Sequence, residues 1–565
     1  MSERWRRRIP ILTGALVLLL LEAALLPSGP VWITDNGNKY MILRNLAEHG
    51  TPAMENPAAE LDPENRFFPD GGFHFQRHGG KIFSVYPEFF SILALPGYLL
   101  AGDAGLLLIP IAGTLAMLAL FLALLDPLRL TTRIEALLAV LLLCGTPFLF
   151  YSGTFWEMTV SAVFPLAALL AARRKKLFLA GIWLGLGLWL REEFYLIALV
   201  SGAAALVFLP RQWRRNIPFG AGFLLCAVPL WLWNLHSYGH ILGLHGALYY
   251  THNAETTQTL AQQIAGVFDG YFIYLLQFNS GNPEMVWYYY LLLLPMVLLP
   301  AAGAFDSRRL QCAAAAAAVV SWAVLLALYC GNPEPAAAAG LTVGFITASP
   351  LLAGFFLKWR DLLTRGPYQI RLLTLAALLY CVVLPPVLTR SDIGIIWGPR
   401  HYLPVYPLLF LLSFLGFARL GWLSHRRRLL LAAIPAAALV LQLIGMRCLF
   451  GVSADAAAAE RAVAASRTET IVSDVFFLPE MTPRLFFEKR WLFVKNDADL
   501  EAVPELLRAR GVHEFTLVLS PRFRQVSDQA VAALLKRAPL AAPPRVQEAP
   551  GSGFLALLIG ECRLQ

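Results

Sequence analysis

The chain begins with Arg4-Trp5-Arg6-Arg7-Arg8, continues through the apolar run Ile9–Leu26 and then reaches the polar stretch Ile33-Thr34-Asp35-Asn36-Gly37. A basic cluster before an apolar run of this length is typical of a membrane helix that starts in the cytoplasm. No convincing small-residue cleavage site is found near Pro27-Ser28-Gly29, so we interpret the run as a retained first helix rather than a signal peptide. This order predicts that Asp35 lies just outside the membrane.

The composition is that of a membrane protein. Of the 565 residues, 58% are hydrophobic and only 15% are charged, and the mean hydropathy is +0.59. Soluble domains carry roughly 25% charged residues. The net charge of +9 comes from basic residues clustered in short loops between apolar runs, which indicates membrane topology. We therefore expect a bilayer, and no nucleic acid, among the partners.

The basic clusters predict the topology, because cytoplasmic loops are enriched in lysine and arginine. Placing every cluster on the cytoplasmic side requires an even number of crossings between successive clusters. The segment 89–101 is short and contains Pro96-Gly97, so we assign it to the outer interface or to a re-entrant position. The chain then crosses the membrane about 13 times, and residues from about 29 to 103 form one long outer loop. The clusters are Met1–Arg8, Arg129–Arg133, Arg173–Lys176, Arg211–Arg215, Arg308–Arg309, Lys358–Arg371 and Arg419–Arg428.

The last part of the chain has a different pattern from the membrane region. Short strands are predicted at Ile471–Asp474, Trp491–Val494 and Phe515–Leu519, and helices at Asp497–Arg510 and Asp528–Lys536. The odd number of crossings places this small α/β domain outside. The predicted domains are therefore a membrane-embedded domain over 1–449 and an extracytoplasmic domain over 450–565.

With this topology the unusual polar residues collect at the outer ends of the helices. Charged groups at membrane depth are expensive and usually mark function. Arginine matches the geometry of a phosphate through paired donors, and a carboxylate can take the proton from an incoming hydroxyl. An outer-face site for a lipid-linked phosphate fits these residue types. The residues are Asp35, Glu157, Arg191, Glu192, Glu193, His236, His240, His245, His252 and Arg400.

A series of motifs occurs in a fixed order along the membrane region. They are Asp35 with the amphipathic segment Tyr40–His49, Gly80-Lys81-Ile82-Phe83-Ser84-Val85-Tyr86-Pro87, Glu157, Gly185-Leu186-Gly187-Leu188 before Arg191-Glu192-Glu193, and Gly398-Pro399-Arg400-His401-Tyr402-Leu403-Pro404. This order resembles the GT-C superfamily of polyprenyl-phosphate-sugar-dependent glycosyltransferases. Within that superfamily it resembles the bacterial branch related to protein O-mannosyltransferases and lipid A aminoarabinose transferases.

The resemblance implies a GT-C-like helical fold and a glycosyltransferase of the bacterial inner membrane. Such an enzyme moves a hexose or pentose from a polyprenyl phosphate to a lipid, glycan or protein acceptor on the outer face, with inversion. The N-terminus is then cytoplasmic and the C-terminal domain extracytoplasmic. The resemblance implies Asp35 as the catalytic base or as an essential residue of the acceptor site. The candidates for substrate or phosphate binding are Arg400, Arg191, Glu157, Glu193, Lys81, Tyr86 and Tyr402.

Other interpretations of the same residues stay open at this point. Asp35-Asn36-Gly37 is also a good turn sequence, and Arg191-Glu192-Glu193 could be an ion cluster that satisfies itself. A divalent metal is not supported by a ligand motif. Asn36 follows Asp35, and neither Glu-x-x-His nor His-Glu-x-x-His accompanies the histidines, although His236 and His240 have near-helical spacing. The alternative functions are a lipid-linked saccharide transporter and a non-catalytic membrane assembly protein.

Overall fold

The structure is a computed structural model in which most of the described residues are helical. The described residues are 3–69, 74–208, 210–247, 262, 265–268, 288–330, 344–387, 397–420, 428–547 and 555–564. Helices α1 to α21 span, in chain order, Glu3–Leu25, Thr34–His49, Phe89–Ala101, Leu108–Leu124, Thr132–Cys144, Phe148–Ser152, Met158–Ser161, Val163–Arg173, Leu177–Leu188, Glu193–Phe208, Ile217–Tyr238, Tyr288–Gly303, Arg308–Cys330, Ala353–Arg365, Tyr368–Val387, Tyr406–Leu420, Arg428–Ala464, Leu478–Met481, Pro483–Glu488, Asp497–Ala509 and Asp528–Arg537. Short 3-10 helices span Gly102–Leu107, Asp126–Leu128, Pro210–Asn216, Pro350–Leu352 and Arg400–Val405.

The chain is a helical polytopic membrane protein, as the sequence predicts. Within the described residues, seven helical segments are long and apolar enough to cross a membrane: Glu3–Leu25, Phe89–Leu128, Trp213–Tyr238, Arg308–Ala327, Tyr368–Val387, Arg400–Leu420 and Ala432–Ala464. Shorter apolar helices span Met158–Arg173, Leu177–Leu188, Glu193–Phe208 and Leu293–Gly303.

The contacts divide the chain into two compact units. Unit 1 comprises Met1–Glu22, Leu108–Trp233 and His252–Cys448, and unit 2 comprises Ala23–Leu107, Asn234–Thr251 and Leu449–Gln565. Each unit is made of segments that are distant in sequence. Unit 2 groups the first predicted outer loop with the C-terminal region.

A buried ion cluster in unit 1 joins the first two basic clusters. Arg8 is fully buried, and its Nε and Nη2 atoms donate to the Glu135 carboxylate at 2.8 and 2.7 Å. Arg4 donates to the same carboxylate at 2.6 Å, and Arg8 Nη2 lies 2.8 Å from the Asp126 carboxylate. Buried charges need this kind of pairing, because moving an unpaired charge out of water costs several kcal/mol. The start of α1 therefore contacts the loop Asp126–Arg133, as expected if both lie on one side of the membrane.

Unit 2 contains two sheets, one within residues 53–84 and the other within residues 470–563. Strands β1 to β8 span Ala53–Met54, Phe75–His78, Lys81–Ser84, Thr470–Ser473, Arg490–Phe493, Glu514–Leu519, Arg545–Gln547 and Leu557–Arg563. The small sheet has the antiparallel order β1-β3-β2, and the larger one has the order β5-β4-β6-β8-β7 with β4 parallel to β5 and β6. The three predicted strands and both predicted helices of the C-terminal region are confirmed. Strands β7 and β8 were not predicted.

The predicted first outer loop and the C-terminal sheet share one hydrophobic core. Ala58, Leu61 and Phe67 from the loop pack with Val472 and Leu517 from the sheet. Phe493 in β5 donates its backbone N–H to the carbonyl of Phe67 at 2.7 Å. Burial of apolar side chains stabilises this arrangement by about 25 cal/mol per Å² of surface removed from water. Two segments that the sequence analysis assigned to different domains thus fold together.

Helix α2 (Thr34–His49) approaches the C-terminal region most closely at Gly37. A Cβ atom on Gly37 would lie 1.6 Å from the backbone carbonyl oxygen of Glu480 in α18 (Leu478–Met481). This contact involves backbone on both sides, so it cannot be relieved by rotating a side chain. Glycine is therefore required here by the packing of the two helices and not by a turn.

We predict that Gly37→Ala destabilises the protein, because the added methyl group forces α2 away from Glu480. Overpacking of this kind typically costs about 1–3 kcal/mol, and the measurement is the thermal unfolding temperature of the purified protein in detergent. The matched control is Gly14→Ala in α1, where a Cβ meets nothing within 4 Å. An unchanged unfolding temperature for Gly37→Ala would contradict the packing described.

Candidate functional site

Asp35 lies in the first turn of a helix and not in a turn between elements. Asn36 is fully buried, and its side-chain oxygen accepts the backbone N–H groups of Trp32 and Ile33, each at 3.0 Å. This side chain fixes the entry of the chain into α2. A carboxylate in the first turn is also favoured by the helix dipole. The Asn that follows Asp35 thus has a structural role at the start of the helix.

The Asp35 carboxylate is buried and held by a tyrosine. Asp35 is 9% exposed, and the Tyr86 hydroxyl donates to its Oδ1 at 2.5 Å. Lys39 is one helical turn after Asp35 and is 2% exposed. Its ammonium group lies 4.5 Å from the centre of the Tyr86 ring and 3.4 Å from the backbone oxygen of Asp35. A carboxylate, a phenol and an ammonium group therefore meet in a buried position.

A second ionisable pair lies in the same network of unit 2. His74 Nδ1 is 2.6 Å from Oε2 of Glu480, which is fully buried. Asn38 Nδ2 donates to the same oxygen at 3.0 Å, and Ser84 donates to the Asn38 side-chain oxygen at 3.1 Å. The His74 and Tyr86 rings are 6.0 Å apart between centroids. The contact between His74 and Tyr86 thus connects the His74–Glu480 pair to the group around Asp35.

The pKa of His74 reflects its neighbours. Burial lowers the pKa of the imidazole, but the carboxylates of Glu480 and Asp35 outweigh burial and raise it above its usual value. A raised pKa favours the charged imidazolium beside a carboxylate. The network as a whole combines acidic and basic groups in a water-poor setting, which is typical of functional sites.

In unit 1, Arg191 is held by two carboxylates. It is 8% exposed, and its Nη1 donates to Glu157 at 2.9 Å. Its Nε donates to Glu193 at 3.1 Å, and Nη2 also donates to Glu193. Burial lowers the pKa of the guanidinium, but Glu193 and Glu157 outweigh that effect and raise it. Arg191 is thus a permanent cation that links the loop before α7 (Met158–Ser161) to the start of α10 (Glu193–Phe208).

His401 extends this ion cluster towards Arg400. His401 Nδ1 contacts the Glu193 carboxylate and lies 3.3 Å from Arg191 Nη2. Arg400 Nε donates to the other ring nitrogen, Nε2, at 3.4 Å. Arg400 itself is partly exposed. Glu157, Arg191, Glu193, Arg400 and His401 therefore form one connected group, which we call the arginine cluster.

The remaining predicted residues lie in varied places. Lys81 is exposed at the start of β3 (Lys81–Ser84). Tyr402 is fully buried, its ring stacks on Phe345 with centroids 4.1 Å apart, and its hydroxyl donates to the Cys381 carbonyl at 3.3 Å. His236 and His245 are exposed and His240 is partly exposed, whereas His252 lies outside the described residues. Within the part of the chain that the structure describes, no three His, Cys, Asp or Glu side chains are grouped to hold a metal ion.

Sequence reasoning missed several members of these groups. Lys39 had a local signal, because the spacing of four residues from Asp35 puts both on one helix face. His401 was quoted within a motif but given no role. His74 and Glu480 had no sequence signal, because Glu480 is 442 residues from Asn38, the helix residue that contacts it.

We predict that the His74–Glu480 pair stabilises the protein more at about pH 6 than at about pH 9. Burial raises the pKa of Glu480 as well, so protonation of this carboxylate at lower pH removes the pair. Since the folded-state pKa of His74 is raised, its stabilisation is complete below the unfolded value of about 6.5 and is lost as the pH rises through the folded pKa. The unfolding temperature of the wild-type protein minus that of His74→Gln should therefore be largest at about pH 6 and smaller at about pH 9. His49→Gln is the control, because His49 is 39% exposed and lies 3.8 Å or more from Glu48 and Glu55. A difference for His74→Gln that does not vary with pH would contradict the charge pairing.

No protein-family model and no curated protein matches the chain. Two solved structures are similar to it over nearly the whole length. The crystal structure of ArnT from Cupriavidus metallidurans in the apo state has 12% identity and a TM-score of 0.48, covering 99% of this chain and 98% of that one. The structure of ArnT from the same organism bound to undecaprenyl phosphate has 14% identity and a TM-score of 0.42, with 99% and 98% covered. A likeness at this level leaves the reaction to be argued from the residues of this chain.

Proposed function

We propose that the chain is a membrane glycosyltransferase that moves a hexose or pentose from a polyprenyl-phosphate donor to an acceptor hydroxyl at the outer face of the inner membrane. The proposal rests on one observation above the others. The Asp35 carboxylate is buried in the first outer loop, is oriented by the Tyr86 hydroxyl at 2.5 Å and lies beside Lys39. A buried, oriented carboxylate is a suitable base for an acceptor hydroxyl. The motif order that resembles GT-C transferases agrees with this role.

The reaction we propose is a single displacement at the anomeric carbon. The acceptor oxygen forms a bond to that carbon while the bond from the carbon to the phosphate oxygen breaks, and polyprenyl phosphate leaves with the bonding electrons. The acceptor proton passes to Asp35. Phosphate is already a good leaving group, so the protein supplies positioning and one base. Attack from the face opposite the phosphate inverts the anomeric configuration.

Tyr86 and Lys39 prepare Asp35 for this task. A carboxylate has two oxygens with about four lone-pair sites, so the hydrogen bond from Tyr86 to Oδ1 orients the group and leaves it able to accept a further proton. The Lys39 ammonium lies 4.5 Å from the Tyr86 ring centre and donates to the Asp35 backbone oxygen at 3.4 Å, which holds the lysine beside this pair. An oriented carboxylate is what a general base requires.

We assign binding of the donor phosphate to Arg400. Its guanidinium is partly exposed and carries the paired donors that suit a phosphate. Arg191 is the central cation that holds Glu157 and Glu193 in place, and through Glu193 it supports His401. In this assignment the arginine cluster serves the donor and the group around Asp35 serves the acceptor.

Lys81 and Tyr402 have supporting roles in the proposal. Lys81 is an exposed cation on the first outer loop and attracts the anionic donor. Tyr402 follows the Arg400–His401 pair, and its stacking on Phe345 anchors that segment in the interior. The acceptor, whether lipid, glycan or protein, is defined here only by the hydroxyl that attacks.

We predict that Asp35→Asn reduces sugar transfer by about 10²- to 10⁴-fold, the usual contribution of a general base. The amide keeps the size of the side chain but cannot take the proton. The measurement is release of free polyprenyl phosphate from a panel of labelled polyprenyl-phosphate sugars in membrane vesicles that contain equal amounts of each variant. Release distinguishes a transferase from a transporter, since a transporter would move the donor and leave this bond intact.

The control for Asp35→Asn is Glu55→Gln, which changes an exposed carboxylate of the same outer loop. This variant should release polyprenyl phosphate at the wild-type rate. Full retention of activity in Asp35→Asn would remove Asp35 from the mechanism. Intact donor with every sugar of the panel, despite wild-type protein at normal levels, would remove the transferase proposal.

We predict that Arg400→Ala raises the KM for the donor by roughly 10- to 100-fold, because one hydrogen bond to a charged group contributes about 1.5–3 kcal/mol. Arg400→Lys should give an intermediate KM, since it keeps the charge but loses the paired donors. Arg133→Ala, which removes an exposed charge from a predicted cytoplasmic loop, is the control for membrane electrostatics. An unchanged KM in Arg400→Ala would show that the phosphate is bound elsewhere.

A further inference from the structure

The ring of His401 is contacted on both nitrogens by charged groups. Nδ1 contacts the Glu193 carboxylate, and Nε2 receives the Nε–H of Arg400 at 3.4 Å. The side chain is 12% exposed, so these contacts are largely shielded from water. A neutral imidazole has one donor and one acceptor nitrogen, and each partner selects one of them.

The contacts assign the tautomer of the ring. A carboxylate can only accept a hydrogen bond, so Nδ1 carries the proton that is donated to Glu193. A guanidinium can only donate, so Nε2 is the acceptor for Arg400. The Arg191 guanidinium, at 3.3 Å from Nδ1, bonds to Glu193 and keeps that carboxylate ionised. Arg191 thus holds Glu193, Glu193 holds Nδ1 of His401, and Nε2 of His401 accepts from Arg400.

The backbone around His401 is also fixed. Tyr380 in α15 (Tyr368–Val387) donates its hydroxyl to the His401 carbonyl at 2.7 Å, and Tyr402 stacks on Phe345. Among the contacts of the described residues, the ring faces Glu193 from α10, Arg191 from the preceding loop and the neighbouring Arg400.

We propose that His401 is a positioning residue that helps to fix the direction of the Arg400 guanidinium through its ring, which Glu193 holds at Nδ1. The inference rests on the proposed function, in which Arg400 contacts the donor phosphate. Holding Arg400 in advance reduces the side-chain entropy that is lost when the phosphate binds. His401 then affects donor affinity only through Arg400.

The test is a double-mutant cycle on the binding of a fluorescently labelled polyprenyl phosphate, without sugar, to the full-length protein in nanodiscs. We expect His401→Asn to weaken binding by about 3- to 20-fold in the wild-type background, and to have little effect in the Arg400→Ala background. The Asn side chain reaches only as far as Nδ1, so it keeps the contact with Glu193 and loses the one with Arg400. His401→Gln reaches the position of Nε2 and should recover part of the affinity through its carbonyl oxygen.

Trp359→Phe controls for a purely structural effect. It removes the hydrogen bond from Trp359 Nε1 to the Pro300 carbonyl, which is not part of the arginine cluster, and should lower the unfolding temperature while leaving the affinity for the labelled polyprenyl phosphate unchanged. If Arg400→Ala weakens binding but the effects of His401→Asn and Arg400→Ala are additive, the positioning role of His401 is overturned. The phosphate-binding proposal for Arg400 then still stands. No binding by the wild-type protein, or binding that Arg400→Ala leaves unchanged, would overturn the phosphate-binding proposal and the inference with it.

Discussion

The close approach of helix α2 to the backbone of Glu480 is the constraint on which the acidic site depends. At Gly37 no side chain fits between the two backbones, because a Cβ would lie 1.6 Å from the Glu480 oxygen. Asn38, the next residue of the helix, bonds to the Glu480 carboxylate at 3.0 Å. The same helix carries Asp35, so the packing at Gly37 sets the distance between the two carboxylates. Glycine at this position is therefore a condition of the site and not only of the fold.

Bringing these charges together out of water has a cost that the surrounding groups offset. Tyr86 donates to Asp35, and His74 and Asn38 both contact Glu480. In unit 1, the desolvation cost of Arg191 is offset in the same way by its ion pairs with Glu157 and Glu193. Buried ion pairs are weak contributors to stability after desolvation is included. In the proposed mechanism, these pairs hold the reacting and binding groups in place.

The sequence predicted the parts of the structure that depend on local patterns. Runs of apolar residues predicted the helical membrane fold, and short strand-like segments in the C-terminal region predicted the strands near Val472 and Leu517. These elements could be predicted because each depends on a few neighbouring residues. Asp35 and Tyr86 were selected from the order of motifs and lie in contact in the structure, and their roles stay a prediction.

What the sequence could not predict depends on contacts between distant segments. The shared core of Phe67 with the C-terminal sheet joins residues more than 400 positions apart, and no periodicity reports it. The pairing of His74 with Glu480 has the same origin. The asparagine after Asp35 was interpreted as a missing metal ligand, whereas its side chain receives backbone N–H groups at the start of the helix.

The central claim is that Asp35 assists a direct attack of the acceptor on the donor sugar. The measurement that tests it most directly is the anomeric configuration of the product, determined by NMR after turnover of a polyprenyl-phosphate sugar of known configuration. The account predicts inversion, because one displacement with Asp35 as base reverses the configuration once. Retention would contradict it, since retention requires a second displacement and a nucleophile that Asp35, as a base, does not provide.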